Sequence, residues 1–309
     1  MLYNHGDGIF AVDSHYRREK NTAVYIIKDS GKAAVIESAT NSSLPLVINA
    51  LDSIGVARND VLYLFLTHVH LDHAGGAGVY MENFPNATLV VHSRGTRHLI
   101  APSKLISSVK SVYGESEYNK LYGGISPIDS ERIISAGDGY EFCVGERVLR
   151  CLATPGHAKH HLSFLDKKTS SVFVGDSFGT SYPEMETING RWLIPSTSPV
   201  QFNPCEMHQS IDYTLSFSPK KIFLTHFGEL KNFKHCVYSL HKNIDLYVNY
   251  AVKLNGDVEL LRKQMRDNFI QSAMLFNIPD PVSFVDVFCH HLVDLNAQGL
   301  SIWYSSLNK

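Results

Sequence analysis

Three histidines and an aspartate stand within six residues in Thr67-His68-Val69-His70-Leu71-Asp72-His73. Burying so many polar groups without partners costs several kcal/mol, so the cluster is expected to do chemistry and not to pack. Imidazole and carboxylate together suit Zn, Fe or Mn. His68 and His70 are two apart, so an extended loop points them the same way. Asp72 and His73 are read as the start of a helix, where the dipole favours the carboxylate and both can face a second ion. Ala74-Gly75-Gly76 lets the backbone pass close to the cluster. Three further segments each offer one donor: Thr154-Pro155-Gly156-His157, Gly175-Asp176-Ser177 and Thr225-His226-Phe227-Gly228. Each is commonplace alone. Their recurrence carries the information, because all four follow a strand-like run.

The elements that would position these residues are readable in outline. Asn21–Lys28 and Lys32–Glu37 read as consecutive strands joined at Asp29-Ser30-Gly31. Ser43–Ile54 has helical spacing and is followed by Gly55. Val61–Leu66 is a continuous apolar run, as in a strand buried on both faces. Gly75–Phe84 reads as a helix, Ala87–His92 as a strand, and Ser103–Tyr122 as a helical, Ser-rich insertion near the surface. Arg147–Ala153, Leu162–Leu165 and Ser171–Val174 read as short strands, Pro204–Phe217 as a helix and Lys221–Leu224 as a final strand. From Leu230 to about Asn277, and again over Pro281–Asn296, the pattern is helical. Aromatics interleave this last part (Phe233, Tyr238, Tyr247, Tyr250, Phe269, Phe276, Phe284, Phe288). Such a stripe belongs in a core, with a dimer interface or a lid over a cleft as the alternatives.

The 309 residues carry 28 Lys+Arg and 30 Asp+Glu, a formal charge of −2. That balance argues against a partner of long nucleic acid. The longest apolar run falls far short of the roughly 20 residues of a membrane span. The first ten residues show no basic segment leading into an apolar one, so no signal peptide is expected. Five cysteines without a CxxC pair are expected to be reduced thiols, and the protein to be cytoplasmic.

The motif set resembles the metallo-β-lactamase-fold hydrolase superfamily. THVHLDH matches its THxHxDH signature; TPGH, GDS and THFG match its later motifs, with 84 residues from His73 to His157, 19 more to Asp176 and 50 more to His226. The resemblance covers residues 5–228. It implies an α+β fold, an αβ/βα sandwich with the site at one edge between the sheets. Here that sandwich (1–228) would carry a C-terminal helical extension (229–309). It also implies that His68, His70 and His157 hold one metal, that Asp72, His73 and His226 hold a second, and that Asp176 bridges both. Two divalent ions per chain follow, Zn first, with Fe or Mn as alternatives. TPGHAKHHLSF, LYGGISPIDSERI and DLNAQGLSIWY resemble a prokaryotic subgroup of metallo-hydrolases whose substrates are largely unassigned.

The implied activity is hydrolysis of a small ester, thioester or lactone by metal-activated water, with Asp72 or Asp176 passing the proton. An iron-dependent oxidoreductase (sulfur dioxygenase-like or oxygen-reducing) and a phosphodiesterase on the same scaffold are the alternatives. A small molecule is the expected partner, and a homodimer is allowed. Around the donors, Glu37 stands where many members carry Asp, and is expected to hydrogen-bond a ligand histidine or a backbone N–H. His161 is expected to support the donors or face the substrate, and Ser177 to hydrogen-bond Asp176 or a ligand; Tyr182 is expected to pack in its loop or lie at the surface, with a hydroxyl reaching the cleft to polarise a carbonyl as the alternative. His160 is expected outside the site; of His290-His291, in the C-terminal helix, one is expected to pack or face solvent, and neither is assigned to a metal. No cysteine occupies a ligand position, which disfavours antibiotic hydrolysis.

Overall fold

The turn Ser30-Gly31, with φ of +47° and +77°, ties strand β3 (Ala23–Asp29) to β4 (Lys32–Ile36) with Asp29 opposite Lys32. Two positive φ values suit a tight hairpin whose twist matches its strands. β1 (Leu2–Asn4) and β2 (Ile9–Asp13) extend the antiparallel edge. β5 (Val61–Phe65), β6 (Thr88–His92) and β7 (Ile133–Ala136) add in parallel on the other side, completing a seven-stranded sheet in sequence order. This computed structural model describes residues 1–307, without the side chains of Val112 and Tyr113 in the Ser103–Tyr122 stretch. Asn308 and Lys309 of the expected extension lie outside the described residues.

Parallel strands need crossovers, and helices supply them. α1 (Leu44–Ser53) links β4 to β5; α2 (Leu71–Ala74) and α3 (Ala77–Asn83) link β5 to β6. Between β6 and β7 lie α4 (Ser93–Ile100), α5 (Ser103–Tyr113) and α6 (Glu115–Tyr122). The expected single helix over 103–122 is therefore two, broken at Gly114, whose φ of +83° no helix admits.

The second sheet has six strands: β8 (Glu141–Val144), β9 (Arg147–Ala153), β10 (Leu162–Asp166), β11 (Ser171–Phe173), then, beyond the short ribbon β12 (Glu186–Thr187) and β13 (Gly190–Arg191), β14 (Lys221–Leu224) and β15 (Gly228–Glu229). β14 runs parallel to β11. α7 (Pro204–Ser216) precedes β14, and the C-terminal part consists of α8 (Phe233–Lys253), α9 (Val258–Leu275), α10 (Pro281–Ser283), a π-helical segment Phe284–Cys289 and α11 (His290–Ser306). No helix among the described residues is long and apolar enough to cross a membrane.

Alternation along the strands builds the layers. Tyr25, Ile27, Phe65 and Val90 point between the sheets and meet Leu149, Phe164, Phe173 and Phe223. Their neighbours Val24, Ile26, Leu64 and Val91 face α1, α3 and α4. On the far side, Val172, Val174, Ile222 and Leu224 face the C-terminal helices, and one core runs from them through Ile244, Tyr247, Phe269 and Ala297. The aromatic stripe is thus mainly core, although Tyr238 is exposed. The result is the αβ/βα sandwich. The segments that follow β5, β9, β11 and β14 all emerge at one edge, where the sheets leave room for a site.

Candidate metal centre

Four imidazoles are anchored from behind, and each anchor fixes which nitrogen is bare. Glu37 accepts from the Thr67 hydroxyl at 2.5 Å, so that hydroxyl has no second proton and accepts from His68 Nδ1 at 3.0 Å. His73 Nδ1 donates to Glu37 Oε1 at 2.9 Å, His157 Nδ1 to the Ser196 carbonyl at 3.0 Å, and His226 Nδ1 to the Asn21 carbonyl at 3.1 Å. In all four rings Nε2 is the atom left facing the same small space. His70 turns the other way and presents Nδ1.

The donors form two sets. His68 Nε2, His70 Nδ1 and His157 Nε2 lie 2.9, 3.0 and 3.2 Å from one another, and His157 Nε2 lies 3.5 Å from Asp176 Oδ2. Asp176 Oδ1 lies 3.3 Å from His73 Nε2 and 3.4 Å from His226 Nε2, and Asp72 Oδ2 lies 3.8 and 3.5 Å from the same two nitrogens. Tetrahedral ligands at about 2.0–2.1 Å from a zinc ion are separated by about 3.4 Å. Hydrogen bonds cannot satisfy either set. In the first, at most one proton, on His70, is available to three mutually facing nitrogens. In the second, His73 Nε2 and Asp176 Oδ1 are buried and have no hydrogen-bond partner. Buried polar atoms in that state are costly, and a cation between them removes the cost. The residues present therefore fit divalent metal.

The electrostatics agree. Burial, and then mutual repulsion, drive His68 and His70 well below the ordinary imidazole pKa, and burial lowers His157, so these rings stay neutral. Burial also opposes a charge on His73, but Glu37, Asp72 and Asp176 outweigh it and hold this ring well above its usual value. The carboxylates that draw a proton to His73 Nε2 would draw a metal ion to the same place. Burial disfavours charge on Asp176, yet His73, His226 and His157 keep its carboxyl well below the usual range.

The family model of the metallo-beta-lactamase superfamily matches residues 17–226. The chain belongs to that superfamily. Among curated proteins it is similar to the metallo-beta-lactamase fold-containing protein ST1585 of Sulfurisphaera tokodaii, at 30% identity over 213 residues, 67% of this chain and 76% of that one. It is also similar to a hydroxyacylglutathione hydrolase of Rippkaea orientalis (22% identity, 67% of this chain and 73% of the relative). A third relative is the N-acyl homoserine lactonase AttM of Agrobacterium fabrum (28% identity, 40% and 43%). Among solved structures, the metallo-beta-lactamase family protein TTHA1429 of Thermus thermophilus superposes with a TM-score of 0.67 at 17% identity, covering 99% of this chain and 95% of that one.

In this metallo-β-lactamase-fold protein Glu37 is the hub behind the donors. Its backbone takes a left-handed φ of +68°, and its carboxylate also lies 3.2 Å from the Thr225 hydroxyl and 3.3 Å from the Thr67 N–H. His161 lies behind the donors: its Nδ1 pairs with the Thr154 hydroxyl at 2.8 Å, and its Nε2 accepts from the Asp176 N–H at 3.1 Å. It positions Asp176 and offers nothing to a substrate. Gly175 makes this possible, because a Cβ there would stand 2.5 Å from His161 Nε2.

The Ser177 expectation and the Tyr182 alternative are corrected. Ser177 does not touch Asp176 through its hydroxyl; its N–H and its hydroxyl both turn back onto the Val174 carbonyl, at 3.1 and 2.7 Å, closing a turn. The hydroxyl on Asp176 Oδ2 is that of Ser196, at 3.0 Å. Tyr182 packs edge-on against His226, but it is buried and its hydroxyl points to His291 Nε2 at 3.4 Å, so it is not free to meet a substrate. His291 therefore lies beside the site, where the sequence assigned it no metal. His160, expected outside, does so as well, with its ring centroid 6.2 Å from those of His68 and His70. Neither is a donor. Ser196, Asn21 and His291 had no local motif to announce them.

Proposed function

We propose that this protein is a hydrolase of small acyl compounds (esters, thioesters or lactones) that works with two divalent ions, zinc first. The observation that carries the reading is the pair of four-donor sets joined at Asp176, whose Oδ2 faces one and whose Oδ1 faces the other. The relatives named as an N-acyl homoserine lactonase and as a hydroxyacylglutathione hydrolase support the acyl class. Ions bound there would lower the pKa of water toward neutrality and polarise an acyl oxygen.

The chain's own contribution is orientation and proton handling. Asp176, gripped by Ser196 and by the backbone bond to His161, holds its two oxygens apart toward the two sets. Asp72 is more open than the buried donors, with its side chain 26% exposed, and one oxygen remains beyond the one that faces His73 and His226. We assign to that oxygen the transfer of a proton from attacking water to the departing group. Residues 1–228 supply every donor, and we treat 229–309 as a helical extension packed on them. Five free cysteines are in keeping with a cytoplasmic enzyme.

Elemental analysis of protein purified without added metal, followed by a panel of lactones, thioesters and phosphodiesters, tests the reading. Two Zn or Mn per chain, with turnover of an acyl substrate lost in Asp176→Ala and His70→Ala, is the expected result. Iron with oxygen consumption, or phosphodiester turnover alone, would replace the reading.

A further inference from the structure

Beside the first donor set lies a cavity of about 440 Å³ whose seven lining residues include Arg94, Arg97, Lys159, His98 and His160 but no Asp or Glu. The chain as a whole holds more acids than bases, 30 against 28. Three cations without one counter-charge are therefore a local arrangement and not a reflection of composition. Among the described residues none of the three meets a carboxylate. The one side-chain hydrogen bond of the trio among those residues runs from Arg97 Nε to His98 at 3.4 Å. Like charges crowded together repel, and a site that keeps them so is complementary to an anion.

The fold places this cavity against the metal centre. Gly95 lets α4 press onto the donor loop: a Cβ there would stand 2.9 Å from Val69 and 3.0 Å from Val91. That approach sets Arg94 and Arg97 beside His160, which forms the wall between cavity and donors, its ring 6.2 Å from those of His68 and His70. His160 is buried, and burial with its cationic neighbours keeps it neutral, so it separates the two charged regions without cancelling either. Lys159 arrives from the other side, on the loop after β9, where its N–H is held by Gln201 Oε1 at 2.8 Å.

We propose that this cavity binds the anionic group, carboxylate or phosphate, of an acidic acyl substrate whose carbonyl is held at the donors. The proposal rests on the hydrolase reading and narrows it to acidic substrates. Guanidinium groups suit such oxyanions because they donate paired N–H bonds in a fixed plane.

The test uses the metal-loaded protein and two readouts. The first is kcat/KM for a matched pair of thioesters, a succinyl half-thioester and its neutral methyl ester. The second is calorimetric titration with succinate and with inorganic phosphate, in wild type and in Arg94→Ala/Arg97→Ala of verified metal content. The expected result is a preference of at least about tenfold for the acid, carried by KM. The double variant should lose it, turn over the neutral ester as before and bind the better anion about tenfold more weakly. Arg94→Lys alone should lose an intermediate amount of affinity, because it keeps the charge but not the paired N–H geometry. Tighter binding of succinate marks a carboxylate site, and of phosphate a phosphate site. Equal anion affinity in wild type and variant overturns the proposal. If neither thioester is hydrolysed yet the variant still loses anion binding, the cavity stands and the acyl-hydrolase reading falls.

Discussion

Asn296, on the last helix, accepts from Thr197 twice, from the backbone N–H at 2.8 Å and from the hydroxyl at 2.6 Å. Thr197 follows Ser196, whose carbonyl anchors His157 and whose hydroxyl holds Asp176. The C-terminal helices thus fasten the loop that orients two metal donors, although they supply no donor themselves. Asn296→Ala leaves the buried Thr197 N–H without an acceptor and its hydroxyl with only the Asn296 backbone carbonyl at 3.2 Å, at a cost of about 2 kcal/mol. The variant should fold, melt several degrees lower and retain less metal after dialysis. Metal retention equal to wild type would show that the loop orients itself.

Gly299 gives the same joint a second test. A Cβ at this position would lie 1.5 Å from the Thr197 carbonyl oxygen, and the obstacle is backbone. Gly299→Ala must displace α11 or the loop. It should be among the most destabilising single changes in the chain, well above the ordinary range of about 1 kcal/mol. Thermal melts of Gly299→Ala beside Gln298→Ala, its neighbour on the same helix, measure the difference.

Glu37→Gln tests the hub. His73 Nδ1 and the Thr67 and Thr225 hydroxyls all meet Oε1, and Oε2 faces the Thr67 N–H at 3.3 Å, so an amide would keep one oxygen for the three and turn an NH₂ with no lone pair onto that N–H. The Thr67 N–H loses its acceptor, and His73 and the Thr67 hydroxyl are left with a neutral oxygen, a weaker acceptor than the carboxylate, to hold the tautomers of His73 and His68. Metal affinity should fall about 10–100-fold with little loss of fold. Competition against a chromophoric chelator reads it directly, and an unchanged affinity would remove Glu37 from the centre.

The donors were legible in the sequence because their geometry is local. HxHxDH spans one loop, and the other three motifs each follow one strand, so a strand edge brings them together whatever the loops do. The strands that lead into the donors were legible as short apolar runs, whereas β1, β2, β7 and β8 were not read, nor was the helix break at Gly114, which depends on one backbone angle. What stayed hidden depends on packing across the chain. Ser196 and Ser177 are equally plausible partners for Asp176 in the sequence, and only the turn that closes Ser177 onto Val174 decides between them. His160 and His291 look like ordinary surface histidines until Gly95 brings α4 close and the π-helical segment Phe284–Cys289 leads into α11.

Removal of metal should cost stability by an amount that grows with the logarithm of the free metal concentration. An ion that binds only the folded chain stabilises it by about 4 kcal/mol at a thousandfold excess over its Kd. Chelation should lower the melting temperature, and readdition should restore it along a concentration-dependent curve. The Asp176→Ala variant should show most of this loss before any chelator is added. A melting temperature indifferent to chelator would contradict the convergence of bare lone pairs on the two sets.

In the metal-free protein the histidines also set a pH dependence with a definite sign. Burial, then neighbouring positive groups, push His160 down to about 3, and His68, His70, His157 and His161 are lowered too. In the unfolded chain these rings titrate near 6.5. Between that value and their folded pKa values the unfolded state binds more protons, so stability falls as the pH falls through this window. His73, raised in the folded state, is already protonated in both states below 6.5 and adds no slope there; its contribution is lost only as the pH rises through its folded pKa. Asp176, lowered, keeps its contribution until the pH drops below the ordinary carboxylate range. From pH 6.5 to about 4 the histidine sign therefore prevails. Urea midpoints of the chelator-treated protein should decline steadily across that interval. His160→Gln should flatten the decline by up to about 1.4 kcal/mol per pH unit, the slope of one proton. A midpoint that rises on acidification would mean that these rings are charged in the folded protein.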